Sequence, residues 1–331
     1  MFNALESIKR NRFAVLGRAG MDFYADPPGV SLESASRFTA CLGGSSANIA
    51  VAIVKHGGAC SLITSVSDDA IGRFCLNELA RYGVDCTHVR SVSGGASNSL
   101  AVADSKPEGH QCVLYRNGAA DFRMNRDDVA EVDYASFGAL ITTGTVFAAE
   151  PSRGAAFLSL DIARQSGLAL VFDIDYRPYS WTSPEVAAET LSRAGEMCDV
   201  IIGNDVEFDF MAGENGKGLE KARELAKAPN RISVYKMGHR GAITFSREKE
   251  MRTGVYEVNV INPIGAGDGF MGGFISALAD GRPLKECVLR GSASAAIVVN
   301  RVGCSQAMPT ARELDEFLAK HPGPTTQLDE D

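Results

Sequence analysis

A carboxylate just inside the start of a helix, behind two glycines, can do chemistry on an anion. The run Gly265-Ala266-Gly267-Asp268 has that form. Its glycines let backbone N–H groups approach a ligand, and the helix macrodipole favours negative charge there. Asp268 then stands where it can take a proton from a nucleophile attacking that anion. The same residues also suit a capped turn in which Asp268 is only an acidic residue of the first helical turn. A short glycine pattern does not separate the two readings.

The flanking sequence says what must hold this run. Phe270, Phe274, Ile275 and Leu278 recur at helical spacing and predict a helix over 266–280. Before it, residues 255–260 alternate and are rich in β-branched side chains, which predicts a strand. At the other end of the chain, 13–17 reads as a short buried strand ending in Gly17. Segments 21–24 and 37–41 read as strands around a Pro-Pro-Gly turn. Gly43 and Gly44 precede a helix with Ser45 or Ser46 as N-cap, apolar on most faces through Val54. A buried strand at 60–66 and an amphipathic helix at 69–82 follow. Strand patterns return over 96–116, broken by a turn at Pro107-Glu108-Gly109.

After Asp127 the chain alternates. Strands are predicted at 139–143, 168–173, 200–202, 232–236 and 242–246. Helices are predicted near 152–166, 184–197, 205–212, 217–227, 284–300 and 310–319. Together these predict an α/β fold, a doubly wound and mostly parallel sheet flanked by helices, with a small inserted β-sheet from about 18–42 and 94–120. Ligands in such sheets sit beyond the carboxyl ends of the strands. Gly17, Asp173, Asn204 and Gly238 each fall just after a predicted strand and so can converge there.

The whole chain narrows the chemistry. Its 331 residues, 45% hydrophobic, can bury a sizeable core. A net charge of −8 argues against nucleic acid as the main partner, although a polyanionic cosubstrate remains compatible with local positive potential. The eight cysteines form no C-x-x-C pair and do not cluster with the five histidines. That pattern points to reduced thiols in a cytoplasmic protein rather than to zinc or disulfides. The charged N-terminus predicts no signal peptide, and no apolar stretch approaches the length of a membrane span. The segment 321–331 is rich in Pro, Gly, Thr and acids and is expected to be disordered.

Gly265-Ala266-Gly267-Asp268, followed by Gly-Phe and a helix of small residues, resembles the C-terminal signature of the ribokinase-like (PfkB) sugar kinases. Gly43-Gly44-Ser45-Ser46-Ala47-Asn48-Ile49-Ala50 resembles the N-terminal signature of the same family. The two occur in the right order, and the resemblance runs from about Phe13 to about Leu318. Local strings look most like a branch that phosphorylates a sugar acid in inositol catabolism. They are Gly17-Arg18 with Asp22-Phe23-Tyr24, Tyr115 to Asp121, and Asp173 to Pro178 with Trp181.

The resemblance implies an ATP-dependent kinase with Asp268 as general base and the N–H groups of Gly265, Ala266, Gly267 and Asp268 as anion hole. It implies a sugar site at Asp22, Gly43, Gly44 and Asn48, although Asn48 and Asp22 also suit structural bonds to backbone. Arg116 and Arg177 match pocket arginines of related sugar-acid kinases, and a guanidinium forks onto a carboxylate. The other reading makes Arg177 a clamp on Asp173 or Asp175. Asn204-x-x-Glu207 resembles the element that holds Mg²⁺ through water, or equally a helix cap. Lys236, Gly238 and Gly241 resemble the loop along the nucleotide phosphates; Ser292, Ala295 and Ala296 would let adenine pack flat, or simply pack the core. Asn262 stands where many relatives carry an acid that helps bind K⁺, which leaves K⁺ activation open. The inserted sheet is expected to be a closing lid that often dimerises.

Three other readings compete. One is a 2-dehydro-3-deoxygluconokinase or a fructokinase, whose substrates differ by a carboxylate or a keto position. Another is a non-catalytic sugar- or nucleotide-binding protein on the same fold. A dinucleotide oxidoreductase would need G-x-G-x-x-G after the first strand, which Gly17-Arg18-Ala19-Gly20 does not supply.

Overall fold

Arg12–Leu16 (β1) is buried at every position after Arg12, the pattern of a strand covered on both faces. The computed structural model describes residues 4–104, 106, 109–247 and 249–324. From β1 the chain runs through β2 (Gly20–Asp26), β3 (Arg37–Gly43), helix α1 (Ser45–Lys55) and β4 (Ala59–Ser67). Helix α2 (Ala70–Arg81), β5 (Val89–Val92), β6 (Leu100–Ala103), β7 (Cys112–Tyr115) and the short α3 (Arg126–Ala130) follow.

Strand and helix then alternate: β8 (Ala139–Thr143), α4 (Ser152–Gln165), β9 (Ala169–Asp173), α5 (Pro184–Met197) and β10 (Val200–Asn204). Two short helices, α6 (Asp205–Ala212) and α7 (Gly218–Leu225), lead to β11 (Ile232–Lys236) and the hairpin β12 (Ala242–Ser246) and β13 (Lys249–Thr253). Three helices close the described chain: α8 (Ala266–Ala279), α9 (Leu284–Val299) and α10 (Ala311–Lys320).

The main sheet has nine strands in the order β13-β12-β11-β10-β9-β8-β1-β4-β5. It is parallel from β5 to β11; β12 alone runs against the rest, pairing antiparallel with β11 on one side and β13 on the other. Successive strand residues point to opposite faces, which gives two cores. Ala14, Leu16, Leu140 and Phe172 belong to one, and Phe13, Val15, Ile141 and Val171 to the other. The second sheet is separate, in the order β3-β2-β6-β7. The α/β fold with a small inserted sheet is as expected.

Three details differ from the sequence reading. Residues 255–260 are not a strand: the sheet ends at Thr253, and Tyr256 and Val258 pack instead on Ala293, Ala296 and Ile297 of α9. Their alternation reflects packing on a helix rather than pairing in a sheet. The N-cap of α1 is Gly44, at φ 95°, while Ser45 lies inside the helix. Strands β5 and β13 and helix α3 had no predicted counterpart. Of the expected turn at 107–109, residues 107 and 108 lie outside the described residues, as do 325–331 of the expected disordered tail. Among the described residues, no helix is long and apolar enough to cross a membrane.

Candidate active site

A cleft of about 940 Å³ opens at the carboxyl ends of the main strands and is walled on one side by the small sheet. Asp173, Asn204 and Lys236 reach it from the ends of β9, β10 and β11, and Asp22 reaches it from β2. Also in the lining are Gly44, Asn48, Arg177, Glu207, Gly238, Gly241, the run Gly265 to Asp268, Ser292, Ala295 and Ala296. Of the residues expected at the site, Gly17, Gly43 and Arg116 are absent from the lining.

Helix α8 begins as the glycine run suggests. Gly265 caps it in the left-handed region at φ 87°. The first-turn N–H groups of a helix have no intrahelical carbonyl to bond; Ala266 N–H makes only a long 3.5 Å contact with the Pro263 carbonyl. A Cβ on Gly267 would lie 3.5 Å from Lys236 Nζ, so that ammonium stands beside the same helix start. Backbone donors, dipole and cation thus favour an anion at one spot.

Asp268 Oδ2 accepts from Asn48 Nδ2 at 2.8 Å, and Asn48 Oδ1 accepts from Ser305 Oγ at 2.6 Å. The Asn48 amide therefore holds the carboxylate of Asp268, a role the sequence reading did not assign. Packed protein around the half-buried Asp268 raises its carboxyl pKa well above the usual range. The charges of Asp175 and Asp173 add to this, against the Asn48 hydrogen bond and Arg177.

Asp22 is buried, and its Oδ1 has no partner among the described residues. Burial raises its pKa against the pull of Arg18 and Tyr24. Gly43 makes room for it, since a Cβ there would fall 2.1 Å from the Asp22 carboxylate. Its backbone packs on Asp22 rather than facing the cleft. Asp175, which sequence reasoning named only as a possible clamp partner, accepts from Ser45 Oγ at 2.5 Å and Thr145 Oγ1 at 3.3 Å. Its other oxygen lies 2.8 Å from an Arg177 guanidinium nitrogen. Arg177 is thus both a cleft residue and the clamp on Asp175.

Arg116 is placed otherwise. Its guanidinium donates to Asp121 Oδ2 at 2.5 Å and to the Thr145 carbonyl at 3.0 Å, and it lies over the Phe122 ring. With the guanidinium and carboxylate both buried, the pair is an internal tie. The expected contact of Arg116 with substrate is not what this geometry provides.

At the other end of the cleft, Asn204 and Glu207 form a reciprocal capping box. Glu207 Oε2 accepts from Asn204 N–H at 2.8 Å, and Asn204 Oδ1 accepts from Glu207 N–H at 2.9 Å. Burial raises the Asp173 carboxyl to about 7 and raises Glu207 as well; Lys236 opposes both. Gly241 sits at φ 91°, where a Cβ would strike the Thr253 carbonyl at 2.1 Å. Asn262 is fully buried; its Oδ1 accepts from Ile264 N–H at 3.1 Å and its Nδ2 has no partner among the described residues. Sequence reasoning missed Arg18, Ser45, Thr145 and Ser305 as part of this site; Arg18 had a signal, because it follows Gly17 at the end of β1.

Comparison with known proteins agrees with the geometry. Residues 10–311 match the pfkB family carbohydrate kinase profile. The 5-dehydro-2-deoxygluconokinase of Geobacillus kaustophilus is 36% identical over 314 residues, 93% of this chain and 94% of that protein. The enzyme of the same name from Photobacterium profundum is 35% identical over 309 residues, 92% and 93% of the two chains. Among solved structures, the PfkB protein of Polaromonas sp. JS666 superposes with TM-score 0.79 at 28% identity, covering 92% of this chain and 99% of that one. A fructokinase with bound ATP from Xylella fastidiosa shares the fold, with TM-score 0.83 at 21% identity over 94% and 99% of the two chains.

Proposed function

The chain belongs to the pfkB family of carbohydrate kinases, and on that premise we propose that it transfers the γ-phosphoryl group of ATP to the terminal hydroxyl of 5-dehydro-2-deoxy-D-gluconate. The similarity to kinases of that name over more than nine-tenths of the chain supports this acceptor. The observation that carries the chemistry is Asp268, anchored by Asn48, in one cleft with the first-turn N–H groups of its own helix and with Lys236.

Asp268 takes the proton of the acceptor hydroxyl as the hydroxyl oxygen attacks the γ-phosphorus, and the bond from that phosphorus to the β,γ-bridging oxygen breaks to release ADP. A raised pKa makes Asp268 a stronger base at neutral pH than an ordinary carboxylate. Lys236 and the first-turn N–H groups hold the charge on the moving phosphoryl group. Asp22, with one oxygen unpartnered, accepts from sugar hydroxyls. Ser292, Ala295 and Ala296 of α9 form a wall of small residues where adenine packs.

Mg²⁺ fits the acidic end of the cleft. No group of three or more His, Cys, Asp or Glu residues among those described could cage a metal, and Mg²⁺ keeps most of its waters. Asp173 and Glu207, whose buried carboxyls have raised pKa values, would hold such a hydrated ion through its waters. When bound it neutralises charge on the phosphates. Asn262 offers K⁺ no negative charge, and its one buried atom without a partner among the described residues is the donor Nδ2.

The small sheet, about 18–42 with 94–120, acts as the lid of a kinase domain spanning 1–320. Exposed Phe38, Val113 and Tyr115 on its edge strands suit a homodimer through that sheet. The assay that tests the reading compares kcat/KM for 5-dehydro-2-deoxygluconate, 2-dehydro-3-deoxygluconate and fructose with ATP. We expect the first to be preferred. Preference for the second makes the protein a 2-dehydro-3-deoxygluconokinase, and preference for fructose overturns the sugar-acid reading.

A further inference from the structure

Two arginines line the cleft, and they differ in one respect that bears on the substrate. Arg177 is already neutralised by Asp175 at 2.8 Å. Arg18 forms no ion pair with any carboxylate among the described residues. Its Nη1 donates instead to the neutral hydroxyl of Ser99 at 2.9 Å. Ser99 is fully buried and immediately precedes β6 of the lid, so the guanidinium is tethered without being discharged. Gly20 keeps this arrangement open, since a Cβ there would come within 2.8 Å of both Arg18 Nη1 and Ser99 Oγ.

The charge of Arg18 is felt at the acceptor end. It opposes the burial-driven rise in pKa of Asp22 on β2, of Cys112 on β7 and of Tyr179. A guanidinium carries five N–H donors in a planar fork. One is spent on Ser99, and the others remain for a ligand. A neutral sugar has no use for an uncompensated cation, whereas a carboxylate accepts a fork of this kind in bidentate fashion.

We propose that Arg18, oriented by Ser99, binds the carboxylate of the acceptor and sets the preference for a sugar acid. Arg177, held by Asp175, then orients rather than neutralises. This rests on the sugar-acid reading above and deepens it.

The test is the ratio of kcat/KM for 5-dehydro-2-deoxygluconate to that for fructose in wild type, Arg18→Met, Arg18→Lys and Ser99→Ala. Arg18→Met should lower the ratio by about 10²-fold or more, the scale of a charged hydrogen bond lost from a closed site. Arg18→Lys, which restores the charge without the fork, should recover part of it. Ser99→Ala should lower the ratio about fivefold through the KM of the acid, with the KM of ATP unmoved. This variant still decides the question if Arg18→Met fails to fold, as thermal melts would reveal. An acid preference that survives in both Arg18→Met and Ser99→Ala overturns this inference alone. A wild-type preference for fructose overturns the sugar-acid reading and the inference with it.

Discussion

Asn48 Nδ2 donates to Asp268 Oδ2 at 2.8 Å, and one helical turn further along each helix Ala52 meets Gly272, where a Cβ would come within 2.3 Å of the Ala52 methyl. The small-residue contact lets α1 and α8 approach closely enough for the polar one to form. The base of the proposed reaction is therefore positioned by packing of two helices from opposite ends of the chain.

Asp268→Asn should keep the fold and ATP binding but lower kcat by about 10²–10⁴-fold. Because burial and the neighbouring Asp175 and Asp173 raise the pKa of Asp268, and the base must be ionised, wild-type kcat should rise with pH through that raised value. The variant should lack this limb of the profile. Turnover within tenfold of wild type would remove Asp268 from the role.

Gly272→Ala should push α1 from α8. Overpacking of this kind costs about 1–3 kcal/mol, read as a lower Tm, and kcat should fall because Asn48 no longer reaches Asp268. Wild-type Tm with wild-type kcat would mean that the helix contact does not position the base.

Arg116→Met should act on stability rather than specificity. It leaves the buried Asp121 carboxylate unpaired, a loss of about 3–5 kcal/mol. Adding Asp121→Leu should recover most of the Tm. If the acid-to-neutral ratio falls while Tm holds, Arg116 is a substrate group after all.

Asp173 should make the unliganded protein less stable as pH rises. Its folded pKa, about 7, lies above its ordinary value of 3.8 because burial disfavours the anion. The folded state therefore binds the proton more tightly, and the stabilisation, complete below the ordinary pKa, is lost as pH rises through about 7. Melts of wild type and Asp173→Asn across pH 4 to 8 (roughly the span of the titration) should diverge, with the flatter profile in the variant. Parallel profiles would assign the slope to other groups.

Turnover should be indifferent to K⁺ against Na⁺ at equal ionic strength, since the buried Asn262 presents an amide donor rather than a charge. Asn262→Asp, which supplies that charge, should introduce a K⁺ response. A K⁺ requirement in wild type would reject this account.

Local pattern determined much of this protein. Runs such as Ala169–Asp173 are buried at all five positions and read as covered parallel strands, because apolar periodicity depends on a residue and its near neighbours. The glycine run before Asp268 was legible for the same reason, since only local backbone geometry is needed to open a helix start toward an anion. The tertiary structure decided which polar groups meet. Asn48 and Asp268 are 220 residues apart, and nothing near either one names the other. Arg116 had a carboxylate five residues away in Asp121, yet only the fold buried both and turned the pair inward, while Arg18 stayed in the cleft without one. Residues 255–260 made the same point in reverse: their alternation was real, but the partner surface was a helix. A side chain's own chemistry limits the bonds it can make, and long-range packing selects the one it does make.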